Sequence, residues 1–188
     1  MRKRVNLFPD EAAKSTYRID YRRYYEEGYR GIIYDIDNTL VPHDAPADER
    51  AVRLFRRLKK IGFSFALVSN NEAPRVELFN EMIGAEIVCK AGKPLPRGYE
   101  EAMALMGTGK ENTLVIGDQL FTDIWGANRC GLRSILVNRI AFREPKHIYL
   151  KRLLEAPFLL VWTLFFRREA YQIPEQIPES KEKEEKKG

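Results

Sequence analysis

Two carboxylates stand two residues apart in the stretch Gly31-Ile32-Ile33-Tyr34-Asp35-Ile36-Asp37-Asn38-Thr39-Leu40. It opens as a short apolar run, which suits a buried parallel strand. Side chains at i and i+2 of a strand point the same way, so the spacing predicts that Asp35 and Asp37 converge at the strand's carboxyl end. Open α/β sheets bind their ligands at that end. Three later strand ends carry more reactive groups: Ser69, then Lys93 just past the third strand, then Asp118 with Asp123. A parallel sheet sets such ends side by side, giving several carboxylates, one hydroxyl and one ammonium. Carboxylate oxygens suit Mg²⁺, and a cation offsets the repulsion among the acids. Phosphoryl transfer uses these parts. A carboxylate attacks phosphorus, a metal and a lysine neutralise the equatorial oxygens, and a second carboxyl group protonates the leaving oxygen and then activates water. A hydroxyl and backbone N–H groups at a strand-to-helix turn hold phosphate.

The elements that must position these groups follow from periodicity. Strands are expected at 31–36, 63–69, 86–89, 112–118 and 132–137. Between them, helices are expected at 48–61, 74–83, 97–106 and 121–130, several of them closed by glycine. Strands alternating with helices imply parallel βαβ units, hence an α/β fold with a doubly wound, five-stranded parallel sheet. Only 31 residues (38–68) separate Asp37 from Ser69, and only 23 (70–92) separate Ser69 from Lys93. Each interval is filled by the elements already assigned, so no cap domain fits. An open mouth admits large substrates or needs a partner to cover it.

Four regions are expected: a basic, tyrosine-rich arm at 1–30, the core at 31–143, an apolar helical segment at 144–170 and a charged, disordered tail at 171–188. The arm's tyrosines predict a helix near 16–27 packed on the sheet edge, with contact to an anionic surface as the alternative. Within 146–168 the run from Ala156 to Phe166 is apolar except for Thr163 and is interrupted at Pro157. Lys151-Arg152 and Arg167-Arg168 bracket it. Two readings stay open: a segment lying in the plane of a membrane, or a helix that packs on the sheet or dimerises. The net charge of +5 is modest and gives no ground for a nucleic-acid partner. Cys89 and Cys130 lack a CxxC pair, which points to a reducing compartment without a disulfide framework. No secretory signal is visible and no run has the ~18 apolar residues of a spanning helix. The expected location is cytoplasmic, with the inner face of the membrane as a further site of contact.

The ordered set of strand-end residues resembles the haloacid dehalogenase (HAD) superfamily of phosphatases over about residues 31–137. Asp35-Ile36-Asp37-Asn38-Thr39 is similar to its DxDxT motif, Ser69 to the second motif, Lys93-Pro94 to the third, and Gly117-Asp118 through Asp123 to GDxxxxD. The branch most resembled is subfamily IIIA, YqeG-like and related to the mitochondrial phosphatidylglycerophosphate phosphatase. The resemblance implies Asp35 as nucleophile and Asp37 as general acid/base. It implies Asp35, the Asp37 carbonyl oxygen and Asp118 as Mg²⁺ ligands supported by Asp123, and Thr39, Ser69, Asn70 and Lys93 as phosphate-binding. Lys90 is the rival to Lys93, and the Lys-Pro pair favours the latter. His43 receives no role. The implied activity is Mg²⁺-dependent hydrolysis of a phosphomonoester through an aspartyl-phosphate, on a phospholipid head group such as phosphatidylglycerophosphate. The alternatives are a soluble phosphatase of nucleotides or sugar phosphates, and a non-catalytic phospho-binding scaffold.

Overall fold

Strands that are apolar on both faces can be covered only from both sides. Gly31–Tyr34 (β2) and Thr113–Gly117 (β5) are buried along their whole length and form the centre of the sheet. The computed structural model describes residues 7–141 and 146–174. The other strands are Glu11–Ala13 (β1), Ser64–Val68 (β3), Glu86–Val88 (β4) and Arg133–Val137 (β6). All pairings are parallel, in the order β1-β6-β5-β2-β3-β4. The helices are Tyr21–Glu26 (α1), Glu49–Ile61 (α2), Ala73–Asn80 (α3), Arg97–Met106 (α4), Trp125–Cys130 (α5) and Lys146–Phe165 (α6).

Side chains alternate between two cores, as the pleat requires. Ile32, Tyr34, Leu114 and Ile116 pack with α1 and α2, whereas Ile33 and Val115 pack with Tyr99, Ala102 and Met103 of α4 and Ala127 of α5. Winding proceeds from β2 towards β4 in one direction and from β5 towards β1 in the other. The reversal falls between β2 and β5, and the crevice there lies beyond Tyr34 and Gly117.

The sheet has six strands rather than the expected five. The extra strand, β1, lies in the amino-terminal arm. Its sequence, Glu-Ala-Ala, has little strand preference, and the pairing is made by tertiary context instead. The open edge of β6 accepts it, and Glu11 is fixed by Arg133 and by the Tyr24 hydroxyl. The arm is thus part of the core: Tyr17, Tyr21 and Tyr24 are buried, and a short 3₁₀ turn at Thr16–Arg18 precedes α1 where one helix was expected. Residues 168–173 run back along the arm, with backbone bonds from Ala170 to Ala12 and from Ile173 to Arg18, both at 2.8 Å. Residues 171–174 of the expected tail are therefore ordered against the arm, while 175–188 and the expected boundary at 143/144 lie outside the described residues. Helix α6 continues through Pro157, which sits on the exposed side, where the missing bond costs least. Among the described residues no helix is long and apolar enough to cross a membrane.

If the arm is core, truncating it must cost core-like energy. Tyr21→Ala is expected to lower unfolding free energy by about 3–5 kcal/mol. Tyr21→Phe keeps the ring, loses the hydroxyl bonds to Thr16 and is expected to cost about 1 kcal/mol. Urea titration of both variants checks this. A Tyr21→Ala midpoint equal to that of the wild type would place the arm outside the cooperative unit.

Candidate active site

β2 ends at Tyr34, two residues earlier than expected. Asp35 still continues the ladder through its N–H, which donates to the Ile116 carbonyl at 3.0 Å. The chain then turns tightly, with Leu40 N–H bonded to the Ile36 carbonyl at 2.9 Å and Asn38 at φ 64. Asparagine tolerates that left-handed conformation better than most residues. Because of this turn the pleat does not set the directions of Asp35 and Asp37, and their carboxylates meet different partners. Asp35 faces Lys93, whose ammonium lies 2.5 Å from Oδ1, and Thr39, whose hydroxyl is 3.5 Å from Oδ2. Asp37 accepts from Asn71 at 2.6 Å, from Arg75 at 2.8 Å and from the Asp44 backbone N–H at 2.9 Å.

Lys93 Nζ also donates to Asp123 at 2.7 Å, and the Thr39 hydroxyl donates to Asp118 at 3.1 Å. Asp123 reaches the strand end because a wide π-type turn, Leu120–Ile124, folds back on β5. A Cβ on Gly117 would lie 2.4 Å from the Asp123 side chain, so glycine is needed there for the close approach. Ser69 is buried at the end of β3, and its Oγ accepts from the Asn71 N–H at 3.1 Å. Asn70 was expected to bind phosphate. Its amide clips the Lys93 backbone, accepting from the N–H at 2.7 Å and donating to the carbonyl at 3.2 Å. Lys90 is exposed and paired with Glu72 at 2.7 Å, leaving Lys93 as the lysine at Asp35. His43, given no role, lies 3.8 Å from Asp37.

Four residues around the site went unnoticed in the sequence. Asn71 and Arg75 flank Asp37, and their signal was proximity to Ser69 at the start of α3. Arg152 from α6 binds Asp118 at both its carboxylate and its carbonyl, the latter at 2.6 Å. Glu155, one turn on, accepts from the Phe121 N–H at 2.8 Å. Arg152 had been counted as a basic flank of the apolar segment. Its helical spacing from Ile148 and Glu155 was the available clue. With α6 alongside, the mouth is bounded on that side rather than fully open.

The electrostatics follow from three buried acids meeting two cations. Burial pushes the Asp35 carboxyl well above its usual range, Lys93 opposes this, and Asp123 and Asp118 add to it. Asp118 is raised to about 6 by burial, despite Arg152. Burial alone would favour neutral Lys93, but the carboxylates of Asp123 and Asp35 prevail and hold it firmly protonated. Glu155 is raised to about 7, chiefly by burial. Ligand oxygens of Asp35, Asp118 and Asp123 all lie within 4.8 Å of one another. This is a set of hard oxygen donors with excess negative charge, and a divalent cation such as Mg²⁺ fits it. The Asp37 carboxylate is outside that cluster, in a group with His43 and Asp44, and Arg75 already pairs with it.

Residues 90–152 match the family model described as HAD-hydrolase-like. The chain is 42% identical over 136 residues to the Probable phosphatase YqeG of Bacillus subtilis, covering 72% of this chain and 79% of that one. It is 26% identical over 168 residues to the chloroplastic phosphatidylglycerophosphate phosphatase 1 of Chlamydomonas reinhardtii, covering 84% of this chain and 62% of the relative. Among solved structures, the cobalt-bound deoxy-D-mannose-octulosonate 8-phosphate phosphatase of Haemophilus influenzae shares the fold. The TM-score is 0.51 at 15% identity, over 69% of this chain and 89% of that one. With a relative so similar over most of both lengths, the chain belongs to the HAD superfamily, in the branch of the YqeG phosphatase, and is a phosphoric monoester hydrolase.

Proposed function

We propose that this phosphatase works through Asp35 as nucleophile, with Mg²⁺ as its metal and a phospholipid head-group phosphate, such as that of phosphatidylglycerophosphate, as its substrate. The observation that carries the mechanism is the pairing at the strand end: Asp35 touches both Lys93 and Thr39, while Asp37 is held apart. Asp35 attacks phosphorus and the P–O bond to the alcohol breaks, leaving an aspartyl-phosphate. Lys93 and Thr39 lie where the phosphate oxygens come to rest beside Asp35. The Asp37 carboxyl protonates the leaving alkoxide and then takes a proton from the water that hydrolyses the phosphoenzyme. Asn71 and Arg75 fix the orientation of Asp37. Asp35, the Asp37 carbonyl and Asp118 would hold the cation, with Asp123 in support. When bound, the cation neutralises charge on the phosphoryl oxygens. The lipid substrate is supported by the 26% identity to the algal phosphatidylglycerophosphate phosphatase and by chain segments that leave no room for a cap. The soluble alternative remains a measurable outcome.

A panel of phosphatidylglycerophosphate, sugar phosphates and nucleotides, assayed with and without Mg²⁺, tests this reading. Phosphatidylglycerophosphate is expected to be preferred in kcat/KM. A preference for a sugar phosphate or nucleotide overturns the lipid assignment, and Mg²⁺-independent turnover overturns the metal.

Asp35→Asn is expected to reduce kcat by several orders of magnitude with an unchanged fold. Near-normal turnover would exclude the covalent route. Asp37→Asn should still form the phosphoenzyme but hydrolyse it slowly. Acid quench and mass spectrometry should then find phosphate on Asp35, and unimpaired hydrolysis would remove Asp37 from its role.

Metal binding should compete with protons. Because Asp118 rises from 3.8 to about 6 on folding, the metal-free fold holds a proton that the unfolded chain has lost, so this group makes stability fall as pH rises across that window. A cation reverses the sign, because it needs the ionised carboxylate. The increase in melting temperature on adding Mg²⁺ is therefore expected to be large at about pH 7.5 and to shrink as pH falls through about 6. A pH-independent increase would place the metal elsewhere.

A further inference from the structure

Helix α6 faces two ways. Ile148, Glu155 and Trp162 are buried at seven-residue intervals, and Arg152 and Leu159 lie half-buried between them, so one narrow stripe meets the core. That stripe is pinned largely by polar contacts: Arg152 to Asp118, Glu155 to the Phe121 N–H, and the Trp162 indole N–H to the Pro9 carbonyl at 3.0 Å. Most of the remaining circumference is apolar and exposed, with Phe158 meeting the Phe121 ring. Leu153 is 71% exposed, Leu160 60%, Leu164 67% and Phe165 73%, and Leu150, Leu154 and Val161 accompany them. Between Tyr149 and Arg168 the only acid is Glu155, which is buried, whereas Lys151, Arg167 and Arg168 are exposed at the two ends.

We infer that the outer face of α6 is a docking surface for an anionic lipid bilayer, lying in the interface and setting the catalytic mouth beside the headgroups. A contiguous apolar face of this size on a helix too polar at its ends to span is the pattern of interfacial helices. The charge at the helix ends selects the occupant. Lys151 at one end and Arg168 at the other, with Arg167 paired to Glu169, leave a net positive charge that matches the negative potential of an anionic leaflet. A second copy packed on this face would bring basic ends together, and the nearest exposed acid, Glu169, is already paired with Arg167 at 2.6 Å. The inner face carries Arg152 to Asp118, so what the outer face rests on lies one helix diameter from the candidate metal cluster. This deepens the phospholipid reading and rests on it only for what the surface presents to the site. The docking is measurable without turnover.

The test uses the full chain with sedimented vesicles of phosphatidylglycerol mixed with phosphatidylcholine, at low salt, against phosphatidylcholine alone. The wild type is expected to bind the anionic vesicles and to lose binding as salt is added. The combined variant Leu153→Ser, Leu160→Ser, Leu164→Ser changes exposed side chains outside the catalytic set. It is expected to weaken vesicle binding by more than about tenfold. Its circular dichroism melt and its hydrolysis of p-nitrophenyl phosphate should stay at wild-type levels. A wild type that ignores anionic vesicles overturns the proposal. So does binding that the variant leaves intact, or a wild-type dimer that the variant converts to monomers in the absence of any vesicle binding. Vesicle binding that persists in a protein without turnover would support the surface and count against the catalytic reading instead.

Discussion

One ammonium shared between two buried carboxylates is the contact on which the site depends. Lys93 Nζ lies 2.5 Å from Asp35 and 2.7 Å from Asp123, and all three groups are largely shielded from water. A buried lysine or aspartate alone is unfavourable, and breaking such a pair from one side typically costs about 3–5 kcal/mol. Each partner therefore has to arrive with its backbone already fixed. Asp35 is held by the last ladder bond of β2, Lys93 by the Asn70 clip, and Asp123 by the turn that Gly117 admits. These supports come from β2, from the loops after β3 and β4, and from the loop after β5. They meet only because the sheet order places those ends together.

The same arrangement explains an imbalance that catalysis can use. Asp35, Asp118 and Asp123 supply three acids, whereas Lys93 and Arg152 supply two cations. Burial first, and repulsion among these acids second, raises the proton affinity of Asp35 and Asp118. A divalent cation or a proton can relieve that repulsion, and which one does so is set by pH. Asp37 stands outside this balance. Its carboxylate is paired with Arg75 and oriented by Asn71, apart from the three clustered acids.

Much of this was legible in the sequence, for physical reasons. β2, β3, β5 and β6 are short apolar runs ended by polar residues, and glycine closes α2, α4 and α5 in the left-handed conformation. Strand alternation then brought Asp35, Lys93, Asp118 and Asp123 to one end. What was hidden was whatever depends on partners distant in sequence. β1 exists because β6 has an open edge and Arg133 needs Glu11, not because Glu-Ala-Ala prefers a strand. The clip that the Asn70 amide makes on the Lys93 backbone was hidden too, because it joins two loops 23 residues apart in sequence. The separate directions of Asp35 and Asp37 come from a turn that begins two residues sooner than the apolar run suggested.

Helix α6 shows why composition alone could not decide its role. Lys151 and Arg152 are neighbours in sequence and looked like one basic flank, yet one is exposed and the other reaches Asp118. An ordinary amphipathic helix buries its apolar face and exposes its charges. Here the inward stripe contains the arginine and the glutamate, and most of the leucines and phenylalanines face out, with ring contacts from Phe158 to Phe121 and from Phe166 to Phe8 as the main exceptions. Trp162 and Ile148 are the apolar side chains that this seating buries, so the exposed leucines and Phe165 are not explained by folding. The Arg152–Asp118 contact ties the helix to the edge of the acidic cluster, so a change at its outer face has a direct route to Asp118.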